Sequence, residues 1–280
     1  MSHGSFERMH RTAVAALLAI IAGAGCGGGG SAVPAPVPAP APGDAPSTLA
    51  IEVLGTYPHD ETAWTEGFEL HDGLLLESTG REGQSRLRLT DPTTGTITDE
   101  VRVADELYAE GVTVVNGRAV QLTWKNETVL VTPLPDLDPA AVEERTDAYD
   151  GEGWGLCYDG AELVMSNGSS ELQFRDPTTF ELRRSLPVTL GGQPVANINE
   201  LECVDGQVWA NVWLTTTVVV IDPATGVVTT TADLADLVPE KYRGDRNAVA
   251  NGIAHNPETG TFWLTGKLWP VTYEVRFNTT

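Results

Sequence analysis

The chain is 280 residues long and carries 17 basic against 39 acidic side chains, a formal net charge of −22 at pH 7. An excess of this size keeps a protein soluble and excludes nucleic acid and anionic lipid surfaces as partners, because a phosphate surface demands clustered Lys and Arg. What remains is a solvated acidic surface whose field favours, at most, cationic ligands.

His10 and Arg11 precede an apolar run from Ala13 to Ala24, and Gly23-Ala24-Gly25-Cys26 follows in the manner of a bacterial lipoprotein cleavage box. Residues 1–26 are therefore expected to be a signal peptide. Cys26 would be lipidated and the mature protein exported to the periplasm or cell surface, touching the membrane only through that lipid. The apolar run is too short to span a bilayer stably. Residues 27–47 turn from Gly to Pro and Ala; such a stretch buries too little apolar surface to order itself and reads as an extended, disordered tether.

From residue 48 to 280 the pattern is all-β. Thr48 to Leu54 reads as a strand that completes the last unit of the domain and leaves no sheet edge unpaired. A hairpin then recurs. It is clearest where Glu110 to Val115 and Arg118 to Lys125 flank Asn116-Gly117, a dipeptide that tolerates the positive φ angles of a type I′ turn. Glu66-Gly67 leads likewise to Asp72-Gly73, Glu152-Gly153 to Asp159-Gly160, and Asn199-Glu200 to Asp205-Gly206, while Asn251-Gly252 runs to a looser turn ending at Gly260. The openings Glu66, Glu110, Glu152, Glu200 and Asn251 stand 44, 42, 48 and 51 residues apart. A period of ~40–50 residues filled with short strands marks a β-propeller, one four-stranded sheet per blade, so a five-bladed propeller is expected.

Asp91-Pro92, Asp176-Pro177 and Asp222-Pro223 start a second recurring turn, in which Asp caps its own backbone and Pro fixes φ; each should join the outer two strands of a blade. Asp138 to Arg145 and Ala232 to Leu237 are short helix-like insertions. Cys157 and Cys203 fall in successive hairpins and read either as buried thiols or as one disulfide between blades. Buried thiols are favoured, since free Cys behaves as a small hydrophobe.

The chemistry-bearing motifs are few. No phosphate-cradling loop, nucleophile elbow or zinc-spaced cysteine pair occurs, and His59, His71 and His255 stand far apart, so no metal site and no cofactor are expected, although carboxylates alone can hold calcium. In a propeller the first strand of each blade lines the central channel. Glu66, Glu110, Glu152 and Glu200 recur in register and should face inward there. Trp64, Trp124, Trp154, Trp213 and Trp269 fall near hairpin ends, as packing between blades or as an aromatic box at the channel mouth.

These residues carry a resemblance. Tyr57-Pro58-His59-Asp60, Glu77-Ser78-Thr79-Gly80, Glu110-Gly111, Gly153-Trp154-Gly155-Leu156, Asn199-Glu200-Leu201-Glu202, Val208 to Trp213, Asn251-Gly252-Ile253-Ala254 and Thr265 to Pro270 resemble, in order, the plant-type glutaminyl-peptide cyclotransferases, five-bladed propeller enzymes with bacterial relatives. The resemblance implies an acyltransferase that turns an N-terminal glutamine of peptides or proteins into pyroglutamate with release of ammonia; a monomer is expected. It makes Glu110 the acid/base carboxylate, Lys267 and Asn199 the polar groups on the reacting amide, and Trp124, Trp154 and Trp213 the pocket walls. Glu66, Gln121 and Glu200 join the tryptophans as substrate-binding candidates. One departure stands out: the family has Thr-Gln-Gly where this chain reads Thr65-Glu66-Gly67. The rival readings are a tethered propeller that binds peptides or sugars without catalysis, and a metal-dependent propeller hydrolase.

Overall fold

The structure is a computed structural model and describes residues 45–279; the expected signal peptide, Cys26 and most of the tether lie outside them. Strands in chain order are β1 (Ser47–Pro58), β2 (Thr65–His71), β3 (Leu74–Thr79), β4 (Arg86–Thr90), β5 (Ile97–Arg102), β6 (Ala109–Val115), β7 (Arg118–Thr123), β8 (Val129–Pro133), β9 (Glu143–Arg145), β10 (Leu156–Tyr158) and β11 (Leu163–Met165). There follow β12 (Glu171–Arg175), β13 (Leu182–Pro187), β14 (Thr189–Leu190), β15 (Gln193–Pro194), β16 (Ile198–Val204), β17 (Gln207–Val212), β18 (Thr217–Ile221), β19 (Val228–Asp233), β20 (Ala250–Asn256), β21 (Thr261–Gly266) and β22 (Val271–Thr279). The fold is all-β: β2–β5, β6–β9 and β10–β13 are four-stranded antiparallel sheets, and an eight-stranded sheet runs β16-β17-β18-β19-β1-β22-β21-β20. The last is two antiparallel runs joined where β1 lies parallel to β19 and antiparallel to β22, so the N-terminal strand covers the edge that the C-terminal strand would leave open.

Local turn chemistry produces the hairpins. Asn116-Gly117, Asp72-Gly73 and Asp205-Gly206 all have positive φ at both residues, as a two-residue type I′ turn requires. Asp159-Gly160 departs from this. There Asp159 accepts from the backbone N–H of Ala161 and Glu162 and builds a longer loop. The Asp91 and Asp176 carboxylates cap two backbone N–H groups each and Asp222 one, and all three turns join the third and fourth strands of a sheet.

The leading strands β2, β6, β10, β16 and β20 touch in a cycle, β20 returning to β2. Apolar clusters fill the spaces between neighbouring sheets. Leu76 and Leu87 pack with Val112 and Ala119, Leu122 and Val131 with Leu156 and Leu163, and Val164 and Phe174 with Leu201 and Val219. Val218 and Ala232 pack with Ile253 and Leu264, and Phe68 and Leu75 with Ala254 and Trp263. The leading strands approach backbone to backbone: a Cβ on Gly155 would lie 2.0 Å from the carbonyl oxygen of Asn199, and Gly111 donates its N–H to the Trp154 carbonyl at 2.6 Å.

Two expectations are corrected. Asp138 to Arg145 forms only a 3₁₀ turn at Pro139–Ala141 before extending into β9, and Ala232 belongs to β19, with 3₁₀ turns at Ala235–Leu237 and Glu240–Tyr242 beyond it. A run too short to repay helix nucleation is captured by the sheet beside it. Cys157 and Cys203 are not thiols but a disulfide, because β10 and β16 are adjacent and bring the two Cα atoms to 5.5 Å.

Candidate active site

At one end of the leading strands a pocket of about 240 Å³ opens, lined by Trp64, Glu66, Tyr108, Glu110, Trp124, Trp154, Asn199, Trp213, Arg246, Asn247 and Lys267. What aims the polar residues into it is a repeated irregularity of register. The pairing of β2 with β3 slips between Thr65 and Gly67, that of β6 with β7 between Ala109 and Val112, and that of β16 with β17 between Ile198 and Leu201. Glu66, Glu110 and Asn199 sit in these slips. A bulge releases a residue from the alternation of a strand and re-aims its side chain, so each bulge turns one polar group into the channel mouth.

The groups so placed form one cluster. Lys267 Nζ donates to both carboxylate oxygens of Glu66, each at 2.6 Å, and the Tyr108 hydroxyl donates to Glu66 Oε1 at 3.0 Å. Glu110, 5 % exposed, is hydrogen-bonded to Glu66. Burial, then the neighbouring Glu66 charge, hold Glu110 well above the usual carboxylate range, against the opposing pull of Lys267. Two carboxyls joined by a hydrogen bond must share a proton, and the one pushed up, Glu110, carries it. Burial and the Glu66 charge also push the Tyr108 phenol up, so it stays a donor. Asn199 Oδ1 is buried and has no hydrogen-bond partner among the described residues.

The tryptophans are held by their own polar ends. Trp124 and Trp154 both donate Nε1–H to Glu152 Oε2, at 2.9 and 3.0 Å, and Trp154 meets Trp213 edge to face with ring centroids 5.5 Å apart. Glu152 thus serves from outside the pocket; burial pushes its pKa up, but the bonds from Trp154, Trp124 and Lys125 outweigh it and hold it low. Trp64 also lines the pocket, with the Arg81 guanidinium over its ring at 4.4 Å. Beneath, His59 bridges the Trp269 carbonyl (2.7 Å) and Glu77 (3.1 Å), and Thr65 donates to the same Glu77 oxygen at 2.7 Å. Those bonds pin the start of β2 to the loop that carries Lys267. Burial pushes His59 down, yet Glu77 and Trp269 hold it above its ordinary value, keeping both ring N–H groups as donors.

Of the sequence candidates, Glu66, Glu110, Asn199, Lys267, Trp124, Trp154 and Trp213 come together. Gln121 and Glu200 do not line the pocket. Gln121 donates to Ser78 Oγ at 2.8 Å, and Ser78 in turn donates to the Glu110 carbonyl, so Gln121 acts on the backbone of Glu110. Glu200 lies one residue past Asn199, on the other side of the bulge, and accepts from Ile253 N at 2.9 Å. Trp269 is a core residue whose Nε1–H goes to the Ala248 carbonyl. Tyr108, Arg246 and Asn247 escaped the sequence reading. Tyr108 had a signal, since it precedes Glu110 by two residues as Trp64 precedes Glu66; Arg246 and Asn247 had none, being loop residues placed by the packing of the segment before β20. No group of three or more His, Cys, Asp or Glu among the described residues is arranged to hold a metal ion.

Comparison with known proteins points to one family. The sequence model of a family described as glutamine cyclotransferase matches residues 29–277. A curated glutaminyl-peptide cyclotransferase of Arabidopsis thaliana is 33% identical over 230 residues, which is 81% of this chain and 71% of that protein. The crystal structure of Myxococcus xanthus glutaminyl cyclase superposes with a TM-score of 0.75 at 37% identity, covering 84% of this chain and 99% of that one.

Proposed function

Because the chain belongs to the glutamine cyclotransferase family, we propose that it cyclises an N-terminal glutamine of peptides to pyroglutamate with release of ammonia, using Glu110 as a metal-independent acid and base. The observation that carries this is the buried Glu110 carboxyl, held beside Glu66 and Lys267 beneath a tryptophan box. We read the scaffold as a five-bladed propeller. Its support is the cyclic contact of leading strands and the apolar cluster in each gap between sheets.

The reaction is already intramolecular, so the pocket contributes by fixing a folded conformer and by moving protons. The substrate's neutral α-amine attacks the γ-carbonyl carbon; a C–N bond forms and the carbonyl electron pair moves onto oxygen. Lys267 uses two of its three ammonium protons on Glu66 and keeps one for that oxyanion. Glu110, protonated at rest, gives its proton to the departing nitrogen; the C–N bond breaks and ammonia leaves. The resulting carboxylate removes the surplus proton from the ring nitrogen, which restores the starting state. Delivery therefore precedes removal. Asn199 Oδ1, an unpaired acceptor, suits an N–H of the attacking amine and directs its lone pair at the carbon. General acid–base transfer of this kind contributes about 10²–10⁴-fold.

Export and lipidation at Cys26 belong to the same reading. The Cys157–Cys203 bridge supports it, since disulfides persist in oxidising compartments. The test is ammonia release from glutaminyl-alanine amide with and without a chelator. Turnover that survives chelation is expected; turnover abolished by it would transfer the chemistry to a metal, and none at any pH would leave a pocket that only binds.

A further inference from the structure

Next to the pocket lies a second, larger depression of about 540 Å³, between the β17–β18 loop on one side and the segment from Ala235 to Ala250 on the other. Arg246 lines both. Resting on the cyclotransferase reading, we propose that this groove receives the part of the substrate that follows the N-terminal glutamine, and that it selects peptides carrying acidic side chains there.

Size and continuity make the first half of the case. The site pocket, at about 240 Å³, is smaller than the ~300–1,000 Å³ of clefts that enclose a whole small ligand, so it takes the terminal residue and leaves the following chain outside. The groove begins at the same guanidinium and is large enough for further residues. Its walls are mixed, as a peptide site requires: Thr216 and Thr217 on one side, Val238 and Tyr242 on the other. The segment that forms the second wall is the one that lengthens the spacing before the last hairpin and contributes little to any sheet. A binding wall gives that insertion a purpose.

Charge makes the second half. Arg243 and Arg246 are exposed and line the groove, and neither side chain has an ion pair or hydrogen bond among the described residues. In a chain with more than twice as many acids as bases most guanidinium groups are paired, as Arg88 is with Asp60, Arg183 with Asp176 and Arg184 with Glu162. The one carboxylate lining the groove, Asp245, is turned onto Asn247, accepting from its backbone N–H and its side-chain amide. The overall charge of −22 opposes an acidic ligand at a distance, but at physiological salt fields fade within about 8 Å, and the charges lining the groove, two guanidinium groups against the single Asp245 carboxylate, decide its sign.

The experiment compares kcat/KM for three amidated peptides, glutaminyl-alanine, glutaminyl-alanyl-glutamyl-glutamate and glutaminyl-alanyl-lysyl-lysine, in the full chain and in Arg243→Glu. The acidic peptide is expected to exceed the basic one by about threefold to tenfold at physiological salt, through KM, and the advantage should shrink at high salt. In Arg243→Glu the ratio of acidic peptide to dipeptide should fall below one. Equal kcat/KM for all three peptides, or an Arg243→Glu variant that keeps the ratio, overturns the groove while leaving the cyclase reading intact. Failure of the dipeptide itself to react would instead strike the cyclase reading. Binding of the same peptides, followed by the fluorescence of the pocket tryptophans, then tests the groove without turnover, and affinities that ignore the acidic residues refute it.

Discussion

The leading strands carry two acidic clusters that differ in one respect. At the pocket, Glu66 is paired with a cation, Lys267, beside Glu110, and the group is open to substrate. Further along the same strands, Glu69, Glu200 and Glu202 face one another with no Lys or Arg among them. Each of these accepts from the backbone of a neighbouring strand: Glu69 from Val114 N at 3.0 Å, Glu200 from Ile253 N at 2.9 Å and Glu202 from His255 N at 2.8 Å. They act as staples between leading strands that share no continuous ladder. Burial pushes all three up, Glu69 to about 7, and their mutual repulsion adds to it in Glu200 and Glu202. The contrast teaches that burial alone makes a carboxyl neutral and inert. At the pocket a cation and an opening to substrate accompany the buried carboxyl, and there it can pass a proton.

The sharpest way to break this contrast is Glu110→Gln. It is expected to lower kcat by about 10²–10⁴-fold without loss of thermal stability, because the amide keeps a donor towards Glu66. Ammonia release and a melting curve decide it, and full activity would remove Glu110 from the reaction. Lys267→Ala comes next. It removes an oxyanion donor, about 10²–10³ in kcat, and leaves Glu66 buried without its cation, a loss of about 3–5 kcal/mol in urea unfolding. Adding Glu66→Gln to a Lys267→Met variant should recover much of the stability and none of the rate; a variant that recovers the rate shows Lys267 to be purely structural.

Glu66→Gln tests which charge tunes Glu110. With the Glu66 charge gone, Glu110 loses its proton at lower pH. The limb along which rate falls as Glu110 deprotonates should therefore move to lower pH. An unmoved pH–rate profile would mean that Glu66 and Glu110 do not share the proton.

The staple cluster gives the smallest effect. Its folded-state carboxyls hold protons that the unfolded chain releases above 4.5, so its contribution to stability is greatest in acid and falls as pH rises from about 4.5 to about 7. Glu202→Gln should flatten that fall, read from urea midpoints between pH 5 and 8. A wild-type midpoint that rises over this interval would contradict the assignment of neutral staples.

Much of this could be read from the chain. The Asn-Gly and Asp-Gly turns, the Asp-Pro turns, the repeat of 42–51 residues and the N-terminal strand that covers the last edge are consequences of short windows of sequence. Each depends on the φ preferences and hydrogen-bonding groups of residues within a few positions of one another. Glu66, Glu110, Asn199 and the tryptophans were legible because they recur at the openings of those windows. The sequence alone could not say which acidic residue faces substrate and which staples a neighbour. Glu200 and Asn199 are adjacent, and a bulge in β16 decides which of them reaches the pocket. Nor could it say that Lys267 pairs with Glu66, 201 residues away, or that Cys157 and Cys203 are bonded. Pairings of that kind are set by the distance and burial that arise when remote strands pack around one axis, and no local preference encodes them.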